Sequence, residues 1–343
     1  MLKKIGIRKL AFVLAMVMCV CCTGCSSEGG AVSKDKYKIV CTIFPEYDWV
    51  MNLIKGNEEK YDVTLLVDNG TDLHSYQASA KDIMTIENSD LFIYIGGESD
   101  NWVKDVLKEH ANPKRVNLNL MEVLGDKVYC EEIIEGMEEE AEEDLNKEES
   151  NVEKTSDKKE AEEEYDEHIW LSLNNAKVAC SKISEELKKV DKKGDDIDKY
   201  DKSLEKYLNN LTELDKKYSD AVTGGRTDIL LFGDRFPFRY LVEDYGLKYY
   251  AAFPGCSAET EASFETVVFL AKAVDENNIL KICVTETSDQ NIAKTIIENS
   301  KNKNAEIVVF DSMQSVTGDD IKKGASYISY MESNLKALKE ALS

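Results

Sequence analysis

Two of the three histidines in this 343-residue chain stand where a metal ligand could. His168 lies in Asp166-Glu-His-Ile-Trp-Leu-Ser172, between two carboxylates and an apolar run, directly after a long acidic tract. His74 lies in Asn69-Gly-Thr-Asp-Leu-His74-Ser-Tyr, a turn-rich segment after the apolar run Val63 to Val67. An imidazole at the boundary between a solvated and a buried segment is well placed to hold a metal at the mouth of a cleft. The two are expected to be ligands that folding brings together. His110, in Lys108-Glu-His-Ala-Asn-Pro113, follows a helix and is expected at the surface or in a cap.

Holding two such distant residues together requires a scaffold, and the chain is long enough for two domains, each with its own core. The net charge of −23 argues against a nucleic-acid partner, which needs a basic face. Between Glu131 and Glu167 nineteen acids face four lysines, a net of −15, so the rest is only mildly acidic. This low-complexity stretch cannot bury enough apolar surface to offset chain entropy and is expected to be a disordered insert. At the start, Lys3, Lys4, Arg8 and Lys9 precede an apolar Leu10 to Val20 too short to span a bilayer. Cys22-Thr-Gly-Cys25 then resembles a bacterial lipobox, which implies a signal peptide over 1–24, a diacylated Cys25 and a lipid-anchored extracytoplasmic protein. Five cysteines remain: Cys41, Cys130, Cys180, Cys256 and Cys283. Their scatter indicates neither a disulfide scaffold nor a zinc ribbon, and Cys41 and Cys283, inside apolar runs, read as buried thiols.

After a polar tether over 25–36, strands at Tyr37 to Phe44, Tyr61 to Val67, Leu91 to Ile95 and Val116 to Leu120 alternate with helices. Past the insert come an amphipathic helix, Asn174 to Val190, and a second from Ile197 to Val222 whose apolar residues recur at threes and fours. Its length of about 39 Å suits a stiff connector between domains. Alternation then restarts, with strands Ile229 to Phe232, Leu247 to Phe253, Ile279 to Val284 and Glu306 to Phe310, a helix Phe236 to Tyr245 and a terminal helix Ile321 to Leu342. The expected fold is α/β: two doubly wound lobes with parallel sheets, 37–195 and 224–343, joined by one long rigid helix over 196–223. Ligands collect beyond the carboxyl ends of such strands, where His74 falls.

The order and spacing of several short motifs resemble the metal-binding lipoproteins of bacterial ABC importers that serve zinc and manganese uptake. They run from Phe44-Pro45 and Tyr47-Asp48-Trp49 through Gly70-Thr-Asp-Leu-His74, Asp90-Leu-Phe-Ile-Tyr and His168-Ile-Trp-Leu-Ser to Phe238-Arg-Tyr-Leu, Tyr245-Gly-Leu and Phe310-Asp311-Ser. The resemblance implies a metal held between the lobes by ligands matching His74 and His168, by a histidine or glutamate of the second lobe, and by an acid matching Asp311. The third position is occupied by Arg235, a cation that cannot bind a metal. Either Asp234 substitutes for it, with Glu286 and Glu46 as further candidates, or Arg235 pairs with Asp311 or Asp234 and water completes the site.

The function expected is that of a non-catalytic, monomeric receptor that captures Zn²⁺ and hands it to the permease and ATPase of an ABC importer. Mn²⁺ is the alternative cargo, since two imidazoles with carboxylates suit either ion. Binding needs neutral imidazole and should weaken below about pH 6.5, and a stiff connector implies release by modest rotations rather than wide hinge closure. A secreted metallohydrolase is disfavoured by the lack of HExxH, a nucleophile elbow or a two-metal cluster. Adhesion, suggested for relatives, has no adhesive motif here to support it.

Overall fold

In this computed structural model, residues 36–138, 164–191, 194, 197–257 and 261–343 are described. Cys25, the leader and the tether before Lys36 lie outside them. The first four strands, β1 (Tyr37–Cys41), β2 (Tyr61–Leu65), β3 (Leu91–Tyr94) and β4 (Val116–Asn119), form a parallel sheet in the order β2-β1-β3-β4. The second set, β5 (Ile229–Phe236), β6 (Lys248–Pro254), β7 (Lys281–Thr285) and β8 (Glu306–Phe310), repeats it as β6-β5-β7-β8. Helices α1 (Phe44–Leu53), α2 (Ala80–Glu87), α3 (Asn101–Glu109) and α4 (Leu120–Leu124) belong to the first lobe. Next come α5 (Leu173–Val190) and α6 (Ile197–Thr223), and the second lobe adds α7 (Arg239–Tyr245), α8 (Phe264–Glu276), α9 (Asn291–Asn299), α10 (Gly318–Lys322) and α11 (Tyr327–Ala341).

The strands read as nearly continuous apolar runs because both faces of each sheet are covered. Successive side chains alternate between faces. Ile39 and Leu230 thus enter a core running through the middle of the molecule, while Val40 packs with Phe92 and Ile86 outside the first sheet and Leu231 with Val284 and Leu270 outside the second. The middle core takes residues from both lobes, including Trp49, Trp170, Tyr218 and Tyr327.

The segment expected to link the lobes is α6, whose 27 residues reach about 40 Å. Its first half is tied to the first lobe, where Tyr200 hydrogen-bonds with Tyr61 and donates to Asp191 at 2.8 Å, and Tyr207 donates to Asp48 at 3.4 Å. Its second half belongs to the other lobe: Tyr218 donates to the Met331 carbonyl at 2.6 Å and stacks on Tyr245. Helix α11 returns across the junction, with its Tyr327 N–H on Asp48 at 3.1 Å and its Tyr327 hydroxyl on the Trp170 carbonyl at 2.6 Å. Two lobes pinned by two helices and one core have little freedom to hinge.

Several local expectations change. Strand β5 passes through a register shift between Phe232 and Arg235 and continues to Phe236, so the helix after it starts at Arg239 and not at Phe236. The terminal helix is two: α10 ends before Gly324, at φ 96°, and Ser326 starts α11 with a capping box. The ends of the supposed disordered insert are ordered. The Glu131 N–H donates to the Glu164 carbonyl at 2.8 Å, that of Asp166 to the Tyr129 carbonyl at 3.0 Å, and Met137 is buried. Residues 139–163 lie outside the described set. Among the described residues no helix is long and apolar enough to cross a membrane.

Candidate metal centre

His74 and His168 converge. Their Nε2 atoms lie 3.3 Å apart, His168 fully buried and His74 at the cleft edge. His74 follows β2 in a single helical turn whose Asp72 caps it, the Asp72 Oδ1 accepting from the His74 N–H at 3.0 Å. His168 immediately precedes another such turn, where the Asp166 Oδ1 accepts from the His168 N–H at 2.8 Å.

Each imidazole is oriented by a carboxylate on its other nitrogen. The Nδ1 of His168 is 2.9 Å from Asp166 Oδ1, and that of His74 is 3.0 Å from Glu167 Oε1 and 2.8 Å from Ser99 Oγ. Ser99 donates both its hydroxyl and its N–H to Glu167. A carboxylate accepts only, so both Nδ1 atoms carry protons and both Nε2 atoms present lone pairs. The 3.3 Å approach is therefore not a hydrogen bond between the rings but two acceptors aimed at a common point. Burial alone would lower the His168 pKa, but the Asp166 carboxylate, together with Glu167 and Glu131, outweighs it and holds the ring above its ordinary value. Burial likewise pushes Glu167 up, and the hydrogen bonds from His74 and Ser99 bring it below the usual carboxylate range. Gly97, at φ 81°, is required here: a Cβ would meet Glu167 Oε2 at 2.6 Å.

Gln314 lies at the point the lone pairs share, its Nε2 2.6 Å from His168 Nε2 and 3.1 Å from His74 Nε2. As placed, the amide donates to both rings as a neutral stand-in for a cation. A turn presents it, in which Met313 takes a left-handed φ of 61° and Asp311 Oδ1 accepts the Met313 N–H at 2.8 Å. This turn crosses to the first lobe, where Asn69 bridges to Thr317 and the Gly318 N–H donates to the Asp68 carbonyl at 2.8 Å. Cys256, after β6, completes the cluster: ligand atoms of His74, His168 and Cys256 all lie within 4.8 Å of one another. Burial, then Glu131, Asp166 and Glu167, raise its thiol pKa.

The expected acids are engaged elsewhere. Asp234 Oδ2 accepts from the Thr285 N–H at 2.9 Å and from its hydroxyl at 2.6 Å, which ties β5 to the end of β7. Asp311 shapes the turn just described, and burial and then Glu286 raise its pKa. Glu286 itself holds Ser312, and Glu46 caps α1 through Thr42 and Ile43. None of the four joins the histidines in a metal-sized group among the described residues. Arg235 pairs neither with Asp311 nor with the Asp234 side chain as a cation partner: its guanidinium meets Asp72 at 3.0 Å and the Ser257 carbonyl at 3.4 Å. His110 sits at the C-terminal cap of α3, 3.3 Å from Glu87. Cys256 and Gln314 escape a reading of the sequence because neither type stands out there, although Arg235 in a ligand position is itself a sign that the donor set departs from the pattern the resemblance implies.

Residues 39–341 match the family described as ZnuA, zinc-uptake complex component A, periplasmic. The chain is 30% identical over 335 residues to the zinc-binding lipoprotein AdcA of Streptococcus pneumoniae (strain ATCC BAA-255 / R6), covering 97% of this chain but only 61% of that relative's length. It is 28% identical over 334 residues to the high-affinity zinc uptake system protein ZnuA of Bacillus subtilis (strain 168), covering 96% of each. The crystal structure of the Zn(II)-bound ZnuA-like domain of the pneumococcal protein is similar with a TM-score of 0.66 at 27% identity, over 90% of this chain and 99% of that one. The names lipoprotein and periplasmic put these relatives outside the cytoplasm, and they are binding components of uptake systems, not enzymes. With two parallel sheets, a converging imidazole pair and a match over nearly the whole described fold, the chain belongs to the ZnuA family of zinc-uptake receptors.

Proposed function

We propose that this protein captures Zn²⁺ between its lobes through His74 and His168 and delivers it to the permease of an ABC importer, powered by the transporter's ATPase. The carrying observation is the convergence of two Nε2 lone pairs at 3.3 Å, one on a buried ring and one on a ring at the cleft edge, each ring locked from behind by a carboxylate. Tetrahedral zinc with bonds of about 2.0–2.1 Å holds two nitrogens about 3.3 Å apart, so the imidazoles already have the spacing and the Gln314 amide is the group that has to give way. Zn²⁺ is favoured over Mn²⁺ because Asp234 and Asp311, the oxygen donors a manganese site would use, are committed elsewhere. The pinned lobes support release by loop movement and small rotations. The Thr23-Gly24-Cys25 segment supports an acyl anchor on Cys25 at the outer face of the membrane, and the chain is taken to act as a monomer.

Calorimetric titration of the apoprotein tests this reading. Zn²⁺ is expected to bind with a stoichiometry of about one and to outcompete Mn²⁺, and His74→Ala and His168→Ala should each abolish stoichiometric binding. Wild-type protein that ignores both ions, or a His74→Ala variant that binds like wild type, would overturn it.

A further inference from the structure

We infer that Cys256 is the third protein ligand of this centre, its sulfur joining the two Nε2 atoms to hold a borderline-soft divalent cation in a two-nitrogen, one-sulfur site. The inference rests on the receptor reading above and specifies its donor set.

The geometry points to the sulfur from several sides. Among the described residues, His74, His168 and Cys256 form the one cluster of potential donors compact enough to share an ion. In a tetrahedral site with a zinc–sulfur bond of about 2.3 Å, nitrogen and sulfur stand about 3.6 Å apart. The present separations, within 4.8 Å, therefore close by about 1 Å, the scale of a side-chain adjustment.

The loop carrying Cys256 is also held in place. Gly255 packs so closely on the His168 ring that a Cβ there would stand 3.1 Å from Cε1. The Cys256 N–H donates to Glu131 at 3.0 Å, and the next carbonyl, of Ser257, is reached by Arg235. Arg235 occupies the position at which the resemblance implied a ligand. Here its guanidinium holds the Cys256 loop and, through Asp72, the His74 turn, so it acts as a positioning residue that sets two donors against each other.

On binding, the Cys256 thiol gives its proton to solvent and the sulfur lone pair forms the bond to the ion, so one proton leaves per metal bound. The fourth position falls to Gln314 or to water. Rotation of the Gln314 carboxamide would turn its Oε1, now 3.3 Å from Ser312 Oγ, towards the ion. Thiolate in the set favours zinc and cobalt over manganese.

Cobalt reports the sulfur directly. Full-length protein, kept reduced with a non-thiol reductant, is titrated with Co²⁺ and followed by absorption. The wild type is expected to bind one equivalent with a near-ultraviolet sulfur-to-cobalt charge-transfer band. Cys256→Ser should lose that band, keep its apo melting behaviour, and bind Zn²⁺ about tenfold or more weakly, the least a ligand should cost when outer-shell partners cost 10–100-fold. Cys130→Ser, at an exposed thiol, serves as the control and should leave the band intact. If wild type binds one Co²⁺ without the band, or Cys256→Ser retains both band and affinity, the sulfur assignment fails while the receptor reading stands. If neither Co²⁺ nor Zn²⁺ binds, both fail.

Discussion

The Gln314 amide nitrogen, 2.6 and 3.1 Å from the two Nε2 atoms, satisfies lone pairs that would otherwise face each other unpaired in a buried site. It keeps the metal-free cleft ordered at the expense of a ligand charge, because a neutral amide binds zinc less strongly than a carboxylate. Gln314→Glu should therefore tighten Zn²⁺ binding about tenfold, which is about 1.4 kcal/mol, and lower the melting temperature of the apoprotein, since a carboxylate has no proton to offer the two rings. Competition with a chromophoric chelator and melts with and without zinc measure the two effects. Unchanged zinc affinity would mean the residue never faces the ion. The histidines were legible in the sequence because imidazoles are scarce and stand at segment edges, whereas a glutamine and a cysteine are ordinary loop and core residues. Only the fold shows that the turn after β8 and the turn after β6 bring them to the same point.

At the scale of elements, the site is an assembly of loops at the carboxyl ends of strands, and Arg235 near the end of β5 links two of them. Its pairing with Asp72 is partly exposed, with 21% and 23% of the side chains accessible, so its contribution to stability is below about 1 kcal/mol. Its effect on geometry is larger, because Asp72 caps the His74 turn and Ser257 adjoins Cys256. Arg235→Lys keeps the charge but loses the fork that reaches both partners. Zinc affinity is expected to fall about 10–100-fold, as for other residues that orient ligands, with chemical denaturation of the apoprotein nearly unchanged. Wild-type affinity in this variant would show that the loops hold their places unaided. The same strand marks where the sequence pattern stops being informative. Alternation of apolar runs with amphipathic segments identifies strands and helices, and buried parallel strands are its clearest product. A register shift at Gly233 and Asp234 has no such pattern, so β5 reads as ending at Phe232, and Arg235 then looks like a loop cation with no assigned partner. The acidic stretch misleads in the opposite direction. Its composition predicts solvation throughout, yet Asp166 and Glu167 at its end are buried behind the imidazoles, a placement that depends on long-range contacts composition does not record.

For the molecule as a whole, two buried carboxylates, Asp48 at the lobe junction and Asp100 inside the first lobe, give the apoprotein and the zinc form opposite responses to pH. Asp48, which also receives the Asn52 amide, is pushed up to about 6 by burial, against the lowering bonds from the Tyr327 N–H and the Tyr207 hydroxyl. Asp100, with Glu46 and Glu167 as its charged neighbours, is pushed up to about 7, chiefly by burial. An unfolded aspartate titrates near 3.9. Between about pH 4 and pH 7 the folded chain therefore holds more protons than the unfolded one, and stability falls as pH rises through that window. A tenfold rise in a carboxyl group's proton affinity corresponds to about 1.4 kcal/mol, so shifts of this size make each of the two groups worth on the order of 3–4 kcal/mol across the window. Glu167 and Asp72, held below their ordinary values, act with the opposite sign but only at lower pH, where unfolded carboxylates begin to protonate. Zinc reverses the trend: its ligands must shed protons, so its affinity grows with pH and its stabilisation, RT ln(1 + [L]/Kd), grows with it. Denaturant titrations from pH 4.5 to 7.5 should show the chelated protein losing stability while the gap between chelated and zinc-loaded protein widens. Asp48→Asn and Asp100→Asn should each flatten the apo slope, because an asparagine keeps an acceptor oxygen for the Tyr327 or Gly96 N–H without the charge. An apoprotein that gains stability from pH 5 to 7 would mean these two carboxylates ionise at their ordinary values, and that their surroundings are wetter than the packing indicates.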